Sequence, residues 1–346
     1  MPCGQPLESY PPPDKRKTPR ISSDFLKRKE KRIMRKTKVI NKFVSSQVGL
    51  VSKSNISKTI EDLTSFHNRH TKSKYINDVA EWITNKLKGF DHDNEDNNRV
   101  SYHEYTVEPY QLKNVIYNKQ GETNKIILFC AHYDTILQSN REDSTSRAPG
   151  ADDNASGVSA LLEISRIVSR LDFEYTIRFV FFSGEEQGLW GSTYYAQYVK
   201  DKNEDLYAVV NMDMCAEPGF LDPTNNNTIN VDVDDGTTGS DSKNNKASQI
   251  LAQKMEQMGI DYTNLKVVNQ WPIDSSDYMP FEARGYVCIG GYDGSAVNSN
   301  HHYHSDTDIA SNLDMDLLTS TTKMVLAFAL SEGRVRESNL VHHTVK

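Results

Sequence analysis

Residues 178–186 read Arg-Phe-Val-Phe-Phe-Ser-Gly-Glu-Glu, and this segment limits the folds open to the chain more than any other. An unbroken apolar, aromatic run fits a strand buried on both faces, as in an α/β sheet. Ser183 and Gly184 end the run, and Glu185 and Glu186 follow at once. Ligands of α/β folds sit beyond the carboxyl ends of strands. Two adjacent carboxylates there are costly to desolvate unless a cation or a proton relieves them. One carboxylate holding a metal and the other moving a proton would resolve the conflict, provided that other segments bring further ligands.

Comparable junctions recur along the chain. A strand-like run at 126–131 leads into His132, Tyr133 and Asp134, and another at 206–214 carries Asp213. Further strand-like pieces lie at 100–107, 112–117, 228–233 and 286–289. Between them, Ile76, Val79, Ala80, Ile83 and Leu87 keep the spacing of an amphipathic helix that Gly89 is placed to end. Helical patterns return at 158–171, 248–258 and 313–331. Strands alternating with helices predict an α/β fold: a central mixed, mostly parallel sheet covered by helices on both faces. Only if the central strands run parallel do His132, Glu185 and Asp213 share one rim.

Charge divides the chain. Residues 15–42 hold 13 Lys and Arg against Asp24 and Glu30, whereas the whole chain has a net charge of −7. The expected organisation is a basic, low-order extension at 1–50, a catalytic domain at 51–335 and a short tail at 336–346. A basic arm suits anionic surfaces. Its basic run at 27–36 has no interleaved aromatic residues for stacking on bases, so no specific nucleic-acid partner is expected and a solvated tail is favoured. No apolar run approaches the ~20 residues of a membrane span. The first 17 residues lack the apolar stretch of a secretory signal, so a cytoplasmic location is expected. None of the four cysteines forms a CxxC pair, and Cys130 and Cys288 sit in apolar runs as small core residues.

His132, Asp152, Glu186, Asp213 and His304 are the candidate ligands. Imidazole with carboxylate and no thiolate suits zinc or a similar divalent ion in a catalytic site. His132-Tyr133-Asp134, the segment 150–157 (Gly-Ala-Asp-Asp-Asn-Ala-Ser-Gly), 184–189 (Gly-Glu-Glu-Gln-Gly-Leu), 211–214 (Asn-Met-Asp-Met), Ser276-Asp277 and 304–308 (His-Ser-Asp-Thr-Asp) come in a familiar order. Over roughly residues 55–332 the chain resembles the co-catalytic zinc peptidases that include bacterial leucyl aminopeptidase and aminopeptidase Y, with relatives in glutamate carboxypeptidase and glutaminyl cyclase. Any one of these motifs is weak; all of them in order are specific.

The resemblance implies two zinc ions per chain. Asp152 would bridge them, His132 and Asp213 would complete one site, and Glu186 and His304 the other. Glu185 would be the general base that activates a metal-bridged water, and Asp134 would orient the His132 imidazole. A cis peptide bond between Asp152 and Asp153 is also implied. His301 and His302 compete with His304 for the last ligand position, but only His304 is followed by Ser305 and, four residues on, by Asp308.

The expected function is therefore a metal-dependent aminopeptidase acting on peptides. A glutaminyl cyclase-like transferase and a carboxypeptidase are the alternatives, the latter with Arg141, Arg147 and Arg284 as unanchored candidates for the substrate carboxylate. An inactive binding module is disfavoured because the ligands and the base are all present. Trp190, Trp271, Ile273, Tyr278, Met279, Phe281 and Tyr303 flank the motifs and could line an apolar specificity pocket. A preference for bulky apolar N-terminal residues is expected from them.

Overall fold

The computed structural model describes residues 40–90, 99–234, 244–269, 272–273, 275–295 and 300–337. The basic arm as far as residue 39, Trp271 and the tail from residue 338 lie outside this set. The strands are β1 (Val100–Val107), β2 (Tyr110–Lys119), β3 (Ile126–His132), β4 (Thr176–Phe182), β5 (Leu206–Met212), β6 (Thr228–Val233), β7 (Lys266–Val268) and β8 (Cys288–Tyr292). They form one sheet in the order β1-β2-β4-β3-β5-β8-β6-β7. The four strands β4, β3, β5 and β8 run parallel, and antiparallel pairs flank them. The carboxyl ends of β3, β4 and β5 therefore open on one rim.

Every residue of β3 and β4 is buried, as their largely apolar sequences require, and Arg178 within β4 is paired with Glu204. Side chains alternate across the sheet with period two. Ile127 and Phe129 enter the larger core, and Leu128 and Cys130 enter the smaller one on the opposite face. Burying one such phenylalanine is worth about 1.5–3 kcal/mol. The larger core is closed by α1 (Lys42–Val48), α2 (Lys53–Ser65), α3 (Ile76–Lys88), α4 (Gly157–Val168), α6 (Asn245–Tyr262) and α8 (Met315–Glu332); the smaller core is closed by α5 (Trp190–Asp201) and α7 (Met279–Glu282). Among the described residues, no helix is long and apolar enough to cross a membrane.

The compact unit begins at Ile40, ahead of the expected boundary at 51. The reason is α1, whose N-cap Asn41 accepts hydrogen bonds from the amides of Phe43 and Val44. Its Val44 and Val48 are buried in the larger core.

Three of the expected pocket residues are also core. Ile273, Tyr278 and Phe281 are buried in the smaller core. The Tyr278 hydroxyl donates to Asp232 at 2.7 Å. These side chains support the sheet.

Candidate metal centre

The rim gathers its groups from four strand ends. His132 is the last residue of β3 and pairs in register with Phe182, the last of β4. Three residues past Phe182, Glu185 and Glu186 turn back over the same end. Asp213 follows β5, and His304 arrives from the long connection after β8. Parallel strand order alone brings four sequence-distant segments to one place.

Within this group His132 Nε2 lies 3.1 Å from Asp213 Oδ1 and 3.2 Å from Asp153 Oδ1. His304 Nε2 lies 2.8 Å from Asp153 Oδ2 and 3.0 Å from Glu186 Oε1. Asp153 thus spans the two imidazoles, one oxygen to each. His132, Asp153 and Asp213 form one cluster with donor atoms within 4.8 Å, and Asp153, Glu186 and His304 form another. The shared carboxylate is Asp153, which corrects the expectation of Asp152 as the bridge.

Asp152 points elsewhere. Its Oδ1 accepts from the amide of Ala216 at 2.9 Å, and its Oδ2 is buried with no hydrogen-bond partner. Burial, and then Asp293 and Asp308, push its carboxyl well above the usual range. The cis peptide bond joins Asp153 to Asn154 rather than Asp152 to Asp153. Asp308 sets the loop by accepting from the amides of Asp152 at 2.8 Å and Asp153 at 3.0 Å.

The donor set fits a metal. Glu186 Oε1 faces the His304 nitrogen yet is buried without a hydrogen-bond partner. A lone pair aimed at another lone pair needs either a proton or a cation between them. Burial opposes charge on His132, but Asp213 and Glu185 overcome it and hold the imidazole well above its ordinary value. His304 is likewise raised to about 9, with Glu186 and Asp153 outweighing its burial. Two imidazoles, three carboxylates and no thiolate are the donor chemistry of zinc or a similar ion in a catalytic site.

Glu185 stands slightly apart. Its oxygen comes within 4.8 Å of donor atoms of His132 and Glu186, but among the described residues it forms no ion pair at closer range. Burial raises its carboxyl well above the ordinary value, His132 opposes this, and Glu186 and Asp213 add to it. Asp134 pins the whole turn. Its carboxylate accepts from the amides of Glu185 and Glu186, each at 3.2 Å, and from the Thr71 hydroxyl at 2.8 Å. The contact of His132 Nδ1 with Asp134 is closer to the carbonyl, 3.2 Å, than to the carboxylate, 3.7 Å. Asp134 therefore positions the glutamate pair as much as the imidazole.

Several residues hold roles that the sequence did not show, and one of them, Arg69, was not singled out there at all. Arg69 is fully buried and donates to the carbonyls of Tyr133, Leu63, Pro149 and Gly150, tying the His132 strand end to the Asp153 loop. Ser276 donates to Asp213 Oδ2 at 2.6 Å and accepts from Asn211 at 2.7 Å, which fixes the Asp213 carboxylate. Arg141 donates to the Glu186 carbonyl at 3.0 Å. Arg69 and Arg141 act largely through backbone carbonyls, and any residue can offer a carbonyl. His302 is hydrogen-bonded within its own loop, to Thr307, and is not in either cluster.

Comparison with known proteins agrees with this geometry. Residues 114–329 match the model of peptidase family M28. A probable zinc metalloprotease of Pyrenophora teres f. teres is 34% identical over 196 residues, which is 51% of this chain and 42% of that protein. Leucine aminopeptidase 1 of Trichophyton equinum is 25% identical over 293 residues, 82% of this chain and 75% of that protein. The chain thus spans less than half the length of the first of these relatives. The LapA aminopeptidase of Legionella pneumophila shares the fold with a TM-score of 0.71 at 22% identity, over 87% of this chain and 76% of that one.

Proposed function

Since the chain belongs to peptidase family M28, we propose that it is a metal-dependent aminopeptidase that holds two zinc ions and removes N-terminal residues from peptides. The observation that carries this reading is Asp153, one carboxylate shared between two three-donor clusters. His132, Asp153 and Asp213 would hold one ion, and Asp153, Glu186 and His304 the other. Bound zinc would supply Lewis acidity, polarising the scissile carbonyl and acidifying water.

The chain's own residues do the rest. Glu185 is the base: it takes the proton that the attacking water loses and returns it to the departing amine. Its pull on that proton is set by its semi-buried place beside Glu186, whose own charge is engaged by His304. Asp134 holds the Glu185 amide, so the base keeps its position while its carboxylate changes charge. A free N-terminal amine, once neutral, can serve as a ligand at such a centre, and an acylated terminus cannot.

The test is the zinc-loaded chain with leucyl-p-nitroanilide and its N-acetylated counterpart. The unblocked compound is expected to be hydrolysed at least a hundredfold faster. Equal rates would overturn the aminopeptidase reading. Cyclisation of N-terminal Gln peptides without release of residues would replace it with a transferase.

A further inference from the structure

We propose that Glu217 anchors a cation-binding pocket beside the metal centre, which takes the ammonium or guanidinium of a lysine or arginine side chain on the substrate peptide. The substrate named here rests on the aminopeptidase reading above.

The segment that leaves β5 carries Asp213 and, four residues on, Glu217. Its backbone is fixed on both sides. The Ala216 carbonyl accepts from the Asp314 amide at 2.8 Å, the Ala216 amide donates to Asp152, and the Glu217 amide donates to Asp293 Oδ2 at 2.8 Å. Glu217 is only 5% exposed. It nevertheless lines a cavity of about 320 Å³ together with Pro218, Phe220, Asn300, His301 and His302. One wall thus continues the segment that carries Asp213 and the other the segment that carries His304, so the cavity is built by the connections that supply a donor to each cluster. Its size is that of a small-ligand pocket.

Two features point to a cation. Glu217 Oε1 is buried and has no hydrogen-bond partner. An unmet buried acceptor is costly, the more so if charged, and a donor brought by a ligand removes that cost. No Lys or Arg is among the residues that line the cavity. Burial, with Asp293 and Asp308 nearby, pushes the Glu217 carboxyl up to about 7, so the surroundings resist an isolated charge there and favour a paired one. The ring of Phe220 and the imidazoles of His301 and His302 offer faces for the methylene stem and for cation–π contact. This is a different pocket from the apolar one expected from the sequence.

The test uses the zinc-loaded chain. Calorimetry with n-butylguanidinium and its uncharged isostere n-butylurea is expected to show at least tenfold tighter binding of the cation, and Glu217→Gln is expected to abolish that discrimination. In parallel, the ratio of kcat/KM for arginyl- over leucyl-p-nitroanilide should fall at least tenfold in Glu217→Gln, through KM, and Glu217→Lys should drop it further. An unfolding midpoint within about 2 degrees of wild type shows that the variants are folded. Wild type binding both probes equally, or Glu217→Gln keeping the discrimination and the ratio, overturns the pocket. Cation discrimination without turnover of any aminoacyl substrate instead overturns the aminopeptidase reading and leaves the pocket standing.

Discussion

Asp152 and Asp153 are adjacent and chemically identical, and the structure gives them opposite jobs. Both amides are held by Asp308, but Asp152 turns to the Ala216 amide while Asp153 faces the two imidazoles. No pattern in a tandem pair states which member faces in, because that depends on backbone geometry and on a partner 155 residues away. His132 and Asp213 were legible because each stands alone at a strand end, whereas Glu186 and His304 were told from Glu185 and from His301 and His302 only by the family resemblance. Asp153→Ala is therefore expected to lower zinc content, read by metal analysis, and to remove activity by orders of magnitude. Asp152→Asn is expected to keep its zinc. The reverse ranking would restore Asp152 as the bridge. Glu185→Gln should retain zinc and lose about 10²–10⁴-fold in kcat, the range for a general base. A kcat near wild type would remove Glu185 from that role.

At the scale of elements, the site depends on how closely α4 meets the end of β5. A Cβ on Gly157 would lie 2.3 Å from the Met212 carbonyl and 2.5 Å from Asn154 Oδ1. Gly157→Ala is expected to destabilise the chain by about 1–3 kcal/mol, the cost of overpacking, read as a lower midpoint in denaturant. Arg69→Met removes the donor to the carbonyls of Tyr133, Leu63 and Pro149, each loss costing about 1–3 kcal/mol. A loss of several kcal/mol in denaturant unfolding is expected, and a midpoint equal to wild type would show that Arg69 is no clamp. The strands and long helices were readable because an apolar run or a 3.6-residue spacing repeats over many residues. Helix α1 was not: it is seven residues long, follows a basic run, and contributes few core side chains.

At the scale of the whole molecule, an acidic body concentrates carboxylates at one rim of a parallel sheet. Their mutual repulsion is tolerable only with protons or cations in place. Zinc binds the folded state and not the assembled site of an unfolded chain, so adding zinc should raise Tm and a chelator should lower it. An unchanged Tm would place the metal outside the fold. The mixed, mostly parallel sheet followed from strand–helix alternation in the sequence, and the order of its strands did not. The acidic pocket at Glu217 did not, because its walls come from connections whose course no periodicity sets.

In the proposed reaction, two zinc ions held through Asp153 drive the removal of N-terminal residues. The most direct test is titration of chelator-treated protein with zinc while the hydrolysis of leucyl-p-nitroanilide is followed. Activity is expected to be absent at first, to rise with added zinc and to level off near two equivalents per chain. Full activity in the presence of chelator, or a plateau at one equivalent that a second does not change, would contradict the account.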